Sequence, residues 1–310
     1  MSGRTSPSST PTTSRASSRG AVPERGGSAQ RLPRGLVVLA FASAAAVVVL
    51  YLLVVRTYWG QRLDEHSFVG HDFFASRAAQ ADSFLRIVSI GSLLLAAVAL
   101  VRRRPRLAIF AAASIGVSVL ATEILKHSLL ERPNLVASFI FDNSYPSGHT
   151  TVGMAVAVAA MLVVPRRLLV PTAIGAGLFG SAFGVAVVAA GWHRPSDAVG
   201  AFLVVIAVGA AFAALSHAFP DRADTAERHG RRIPLPRIRI GTTELGLLAM
   251  ALGGLGLFAL AALSYRGIPW TSTSAGFLLS ALAIVVCGLA ATLTLAGTML
   301  AAEEPRRPPA

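Results

Sequence analysis

Apolar residues in this chain arrive in unbroken blocks about as long as a bilayer is thick, and that property constrains the fold more than any other. A hydrocarbon core of about 30 Å takes about 20 residues of helix to cross, because every backbone polar group inside it must be satisfied within the protein. Stretches that meet or approach this length run over residues 36–55, 84–101, 107–125, 151–164, 168–190, 197–219, 245–263 and 275–301. The stretch 151–164 is short, but counted from Gly148 it nearly suffices. A cleaved signal peptide is the competing reading of 36–55, yet its leader would be long and its apolar run has full spanning length. These blocks lack the narrow stripes of a soluble core, so they predict an all-α, polytopic transmembrane helical bundle.

Between the blocks the composition changes sharply. Residues 1–34 are rich in Ser, Thr, Pro, Gly and Arg, bury too little to offset ordering entropy, and read as a disordered tail. Residues 56–83 read as a mixed-charge loop in which Phe68, Phe73 and Phe74 mark a helix lying along the interface, with His66 and His71 as surface residues. Gly175, Gly177, Gly180 and Gly184 read as a close-packing face of the fifth block. Cys287 is the single cysteine, so no disulfide framework or cysteine metal site can be built.

Polar residues with chemistry gather at three block ends. The run Asn143-Ser144-Tyr145-Pro146-Ser147-Gly148-His149-Thr150 abuts an apolar block. Pro146 ends what precedes it, Ser147 and Gly148 can turn backbone N–H groups outward, and His149 stands where a helix begins, a setting that binds anions. Lys126 ends the third block and Arg132-Pro133 follows six residues later. A lone lysine there can simply snorkel, but beside a Ser-Gly-His run in the same loop it reads as part of a phosphate cradle. The third segment is Gly191-Trp192-His193-Arg194-Pro195-Ser196-Asp197, where Pro195 opens a helix and Asp197 falls in its first turn. That carboxylate either caps the helix or reaches back to the imidazole, fixing its tautomer and freeing one ring nitrogen for nucleophilic chemistry. Phosphoryl transfer needs donors around three oxygens with nucleophile and leaving group in line, and two histidines flanking a cationic cradle meet that need. No cluster has metal-ligand spacing, so neither zinc nor carboxylate-bound magnesium is expected.

Taken in order, the three segments resemble those of the type 2 phosphatidic acid phosphatase superfamily, which includes lipid phosphate phosphatases, undecaprenyl pyrophosphate phosphatases and vanadium haloperoxidases. The resemblance covers about residues 84–219. It implies a six-helix core over 35–219, and the block pattern adds a basic loop 220–244, two further C-terminal spans over 245–301 and a tail 302–310. It also implies metal-independent phosphoryl transfer without a cofactor, through a phosphohistidine, on a lipid phosphate or polyprenyl pyrophosphate held in the bilayer. His193 is then the nucleophile, Asp197 its orienting partner and His149 the general acid, while Lys126, Arg132, Ser147 and the Gly148 backbone hold the phosphoryl oxygens. The chain departs from the family pattern twice. The lysine-to-arginine step is six residues where the family has seven, which on an unbroken helix turns the two apart by about 100°, so the helix is expected to end before Arg132. Val187 stands where the family carries an arginine, and Arg194 is the candidate replacement. Losing such a donor costs on the order of 2.7–4 kcal/mol in the transition state, so a catalytically silent headgroup binder is the second reading. A phosphotransferase using the same histidines is the third.

Charge orients the set. The chain carries a formal +13 with Lys+Arg totalling 28, and Lys126 is its single lysine. Arginine-rich connections at 1–34, 102–106, 166–167, 222–239 and 306–307 all fall on one side when the blocks are counted. In a membrane protein this pattern is topology and not nucleic-acid binding, and it places those connections and both termini in the cytoplasm. The stretch 221–244 can touch anionic lipid headgroups, but serves first as a topology determinant. Lys126, His149 and His193 are then extracytoplasmic, in the plasma membrane's outer leaflet. Alkaline-phosphatase fusions are expected to be active after Asn134 and silent after Arg104, and the reverse pattern overturns the orientation.

Overall fold

A computed structural model describes residues 32–65, 104–138, 142–219 and 275–302. Within them lie α1 (Arg34–Leu50, extended by a π-turn over Tyr51–Val55), α2 (Tyr58–Glu65) and α3 (Pro105–Ile124, extended by a π-turn over Leu125–Leu129). They are followed by α4 (Gly148–Val163), a 3₁₀ turn (Arg166–Leu168), α5 (Leu169–Ala189), α6 (Pro195–Ala218) and α7 (Ala275–Ala302). No strand occurs among the described residues. Arg34–Val55, Pro105–Leu129, Arg166–Ala189, Pro195–Ala218 and Gly276–Ala302 are long and apolar enough to cross a membrane, and Gly148–Val163 is a shorter apolar helix. The chain is an all-α, multi-pass bundle. The expected spans at 84–101 and 245–263, the interfacial helix around Phe68, Phe73 and Phe74, the basic loop and both tails lie outside the described residues.

Local sequence sets the helix ends that matter for the site. Pro105 and Pro195 open α3 and α6, where the missing N–H is no loss. Ser147 caps α4, its hydroxyl accepting from the Thr150 amide at 3.3 Å. Between α5 and α6 the chain reverses through Gly191 at φ 70°, a left-handed conformation that glycine adopts without penalty.

Helix α6 is the centre of the bundle, packed against α1, α3, α4 and α7. Its Phe202, Val205 and Ile206 share the main core with Met154 and Val158 of α4 and with Ile284 and Leu295 of α7. Hydrophobicity gives no reason for helices to associate in lipid, so small residues that admit close approach do much of this work. Gly177 meets Leu289 and Thr292 of α7, Gly180 meets Met154 of α4, and Gly184 meets Ile284 of α7 with Ala198 and Phe202 of α6. Gly175 faces nothing within 4 Å. Three of the four glycines therefore pack, against three different helices, and the expected single face is corrected to that extent. These contacts also run α7 antiparallel to α5 and build it into the bundle.

One end of the bundle gathers the C-terminal ends of α1, α3 and α5 with the N-terminal ends of α4 and α6. Tyr145 donates to the Val47 carbonyl at 2.7 Å, Tyr51 to that of Glu131 at 2.6 Å, and the Ser147 amide to that of Asp197 at 3.0 Å. Adding a side chain at the α5–α7 contact should wedge the helices apart. Gly177→Val is expected to cost about 1–3 kcal/mol of stability by overpacking. Gly175→Val, with the same helix propensity and open space, should cost much less; thermal unfolding of the two in detergent checks the difference.

Candidate active site

Helix α3 stops before Arg132. After the π-turn over Leu125–Leu129, Leu130 is extended, so Lys126 and Arg132 are not on one continuous helix, as their six-residue step requires. Carbonyls at a helix end need partners, and Asn143 supplies them, its Nδ2 donating to Lys126 O at 3.0 Å and Leu130 O at 2.8 Å. The first residue of the Ser-Gly-His segment thus staples the Lys126 turn, while its Oδ1 accepts from the Tyr145 amide at 3.2 Å. Tyr145 is fully buried, and burial together with the carboxylates of Asp197 and Asp64 pushes its phenol well above the ordinary range.

At the start of α4 the structure departs from the expectation for Ser147. Its amide does not turn outward but donates to the Asp197 carbonyl, and its hydroxyl is the helix cap. Its own carbonyl accepts from the Thr151 amide at 3.0 Å and the Thr151 hydroxyl at 2.8 Å. The Gly148 amide, at the first position of α4, makes no hydrogen bond among the described residues, so it remains available to an anion. His149, half-buried, lies against Trp192 at 5.5 Å between ring centroids and against His193 at 6.2 Å, and the charge of Lys126 also reaches it.

Asp197 fills both roles that the sequence leaves open. Its Oδ2 accepts the Arg194 amide at 2.9 Å, closing the helix cap, and lies 3.4 Å from His193 Nδ1. The same oxygen accepts the Ser144 hydroxyl at 2.5 Å. Holding Nδ1 against a carboxylate makes Nε2 the nitrogen available for chemistry. Val187 is buried and acts through its backbone, its carbonyl accepting from the amides of Trp192 at 3.0 Å and His193 at 3.3 Å. The guanidinium of Arg194 is not open to an anion in the way its place in the sequence implied. It is buried, with Nε on Glu65 at 2.8 Å, Nη1 on Ser144 Oγ at 3.2 Å and Nη2 on Ser138 Oγ at 2.6 Å.

Arg132 is also buried, its side chain 4% exposed. Nη2 lies 3.3 Å from Asp64 Oδ2, and Nη1 stops 4.0 Å from Asp197 Oδ1. Both Nη1 and Asp197 Oδ1 are buried without a hydrogen-bond partner. Among the described residues no three His, Cys, Asp or Glu side chains gather as metal ligands.

The sequence reading missed α2. Part of what reads as a mixed-charge loop is a helix that reaches into the site, with Gln61 and Asp64 both buried. Gln61 Nε2 donates to the carbonyls of Val55 at 2.8 Å and Pro133 at 2.5 Å, and its Oε1 accepts from the Leu135 amide at 3.2 Å. Asp64 accepts from the Ser196 amide at 3.2 Å and the Ser196 hydroxyl at 2.6 Å. The available signal was charge balance, since the three motifs carry Lys126, Arg132 and Arg194 against two carboxylates, Glu131 and Asp197. Burial raises Asp64 from 3.8 to about 6, with Arg132 opposing the rise and Asp197 adding to it. An acid whose folded pKa is raised contributes stability that is complete below its unfolded pKa and lost as pH climbs through the folded value. Relative to Asp64→Asn, the wild-type protein is therefore expected to lose thermal stability as pH rises from 3.8 through about 6, and to show a level difference above about pH 7. A constant difference from pH 3.8 to about 6 would contradict the assignment.

No curated protein and no solved structure matches this chain. A family model does, over residues 107–222. That stretch contains Lys126 and Arg132, the segment from Asn143 to Thr150, and His193 with Asp197, the groups that the fold brings to one end of the bundle. Residues 107–222 of this multi-pass membrane protein belong to the PAP2 superfamily.

Proposed function

We propose that this protein is a metal-independent phosphatase acting at the extracytoplasmic face on a lipid phosphate or polyprenyl pyrophosphate, through a phosphohistidine at His193. The observation that carries this reading is the pairing of two imidazoles 6.2 Å apart, one of them backed by a buried carboxylate, beside a helix N-terminus and two cations. Membership of a superfamily whose members are generally phosphatases supports it.

Asp197 holds His193 Nδ1, so Nε2 attacks phosphorus. The bond to the leaving oxygen breaks as that oxygen takes a proton from His149. Water then attacks the phosphohistidine, His149 accepts its proton, and the His193–phosphorus bond breaks to release phosphate and restore both rings. Lys126, Arg132 and the Gly148 amide neutralise the oxygens, where preorganised donors are worth most. Ser147 serves through the helix it caps, and Arg194 through Ser144 and the backbone it holds around Asp197. Placing this site at the end of a lipid-embedded bundle lets an acyl or isoprenoid tail stay in the bilayer while its phosphate enters. Val187, in place of the family's arginine, favours the second reading of a silent headgroup binder.

Phosphate release from phosphatidic acid, phosphatidylglycerophosphate and polyprenyl pyrophosphates, with and without chelator, tests the proposal. Activity that survives chelation is expected, and no release from any of them leaves the binder. His193→Ala should abolish turnover and the acid-labile phosphoenzyme. His149→Ala should lose about 10²–10⁴-fold on an alkyl phosphate, whose leaving oxygen needs a proton. It should keep a larger fraction on p-nitrophenyl phosphate, whose leaving group does not. Identical behaviour of the two variants on both substrates would sink these roles.

A further inference from the structure

Asp64 takes no part in the chemistry proposed above, yet it is buried and touches both halves of the site. One oxygen accepts the Ser196 amide at 3.2 Å, in the first turn of the helix that carries Asp197. The other accepts the Ser196 hydroxyl at 2.6 Å and lies 3.3 Å from Arg132 Nη2. The far end of the same guanidinium is left in an unusual position. Nη1 stops 4.0 Å short of Asp197 Oδ1, and both atoms are buried and unpartnered. A charge-assisted N–H···O⁻ bond prefers about 2.7–2.9 Å, and each unmet buried polar group costs about 1–3 kcal/mol, so these two atoms have every reason to close. Asp64 grips Nη2 at 3.3 Å from the other side. That grip is anchored in turn, because Ser196 fixes the Asp64 carboxylate and Glu65, its neighbour on α2, holds Arg194 at 2.8 Å.

We infer that Asp64 is a positioning residue that keeps Arg132 off Asp197, so that Nη1 stays an unpaired donor for a phosphoryl oxygen and Asp197 keeps its charge for His193. The inference rests on reading the site as a phosphate site. It also decides between two opposite effects of one carboxylate. A negative charge that merely neighbours an anion site weakens binding by repulsion, and its removal tightens binding. A carboxylate that positions a cationic donor strengthens binding, and its removal lets Arg132 collapse onto Asp197.

Inorganic orthophosphate as a competitive inhibitor of the full-length, detergent-solubilised protein reads the sign directly. Asp64→Asn keeps the shape and an acceptor for the Ser196 amide, and because the buried charge itself disfavours folding above about pH 6, this variant is expected to fold. Asp64→Ser is the second variant. Asp64→Asn and Arg132→Gln should each raise the orthophosphate inhibition constant about tenfold, and the double variant should stay within about twofold of Arg132→Gln alone. A general folding defect lowers the maximal rate and leaves that constant alone. An unchanged or lower constant in Asp64→Asn, or effects that multiply in the double variant, would overturn the inference. If the wild-type protein releases no phosphate, the catalytic reading fails by itself, and orthophosphate-dependent thermal stabilisation of the same proteins supplies the constant. Wild-type protein that does not bind orthophosphate at all overturns both.

Discussion

A carboxylate with no access to water must find its partners in the protein, and Asp197 finds them through one oxygen while its Oδ1 is left without a hydrogen bond. Its Oδ2 takes the Arg194 amide and the Ser144 hydroxyl and lies against Nδ1 of His193, while its main-chain carbonyl takes the Ser147 amide. Each partner comes from a different piece of the site: the α6 cap, the stretch before α4, the turn after α5 and the α4 cap. Satisfying one buried charge therefore fixes the relative placement of both histidines. The cost of leaving any of these bonds unmade in a low dielectric makes the arrangement cooperative.

The membrane explains why the chemistry sits where it does. Irregular backbone is tolerated at such depth only where protein or a water-filled cavity satisfies it, and this chain confines it to one end of the bundle. The π-turn of α3 closes with Asn143 on its free carbonyls, and the extended stretch after it is pinned by Tyr51 and Gln61. Below that end the helices approach closely through Gly177, Gly180 and Gly184, and the apolar core carries no chemistry. The rigid part of the molecule is thus a platform, and the polar part is its rim.

Charge balance at that rim is shared between two layers. Lys126, Arg132 and the amide end of α4 put positive charge on one side, while Asp64 and Glu65 on α2 hold Arg132 and Arg194 from the other. Without such counter-charges two buried guanidinium groups would be prohibitively costly to desolvate. The departure at Val187 fits the same picture. A valine there packs in the core, and its carbonyl still orients the backbone of His193, so a side-chain role is lost while a main-chain role is kept.

The sequence by itself determined the all-α membrane architecture, because block length is set by bilayer thickness and is read residue by residue. The described spans fall within a few residues of their expected bounds, with α4 beginning at Gly148 as counted. The local form of the three segments was legible for the same reason, since Pro, Ser-Gly and His-x-x-x-Asp patterns act over a single turn of chain. What only the tertiary structure decided are the partners separated by long stretches. Ser147 spends its amide on α6, Arg194 is taken by Ser138, Ser144 and Glu65, and Arg132 is shared between Asp64 and Asp197. Nothing local marks Asp64, because a carboxylate in a short polar helix reads as solvated until the fold buries it against a guanidinium 68 positions away. The physical reason is that hydrogen bonding within a turn is a property of neighbours in sequence, whereas the pairing of buried charges is a property of the space that packing leaves.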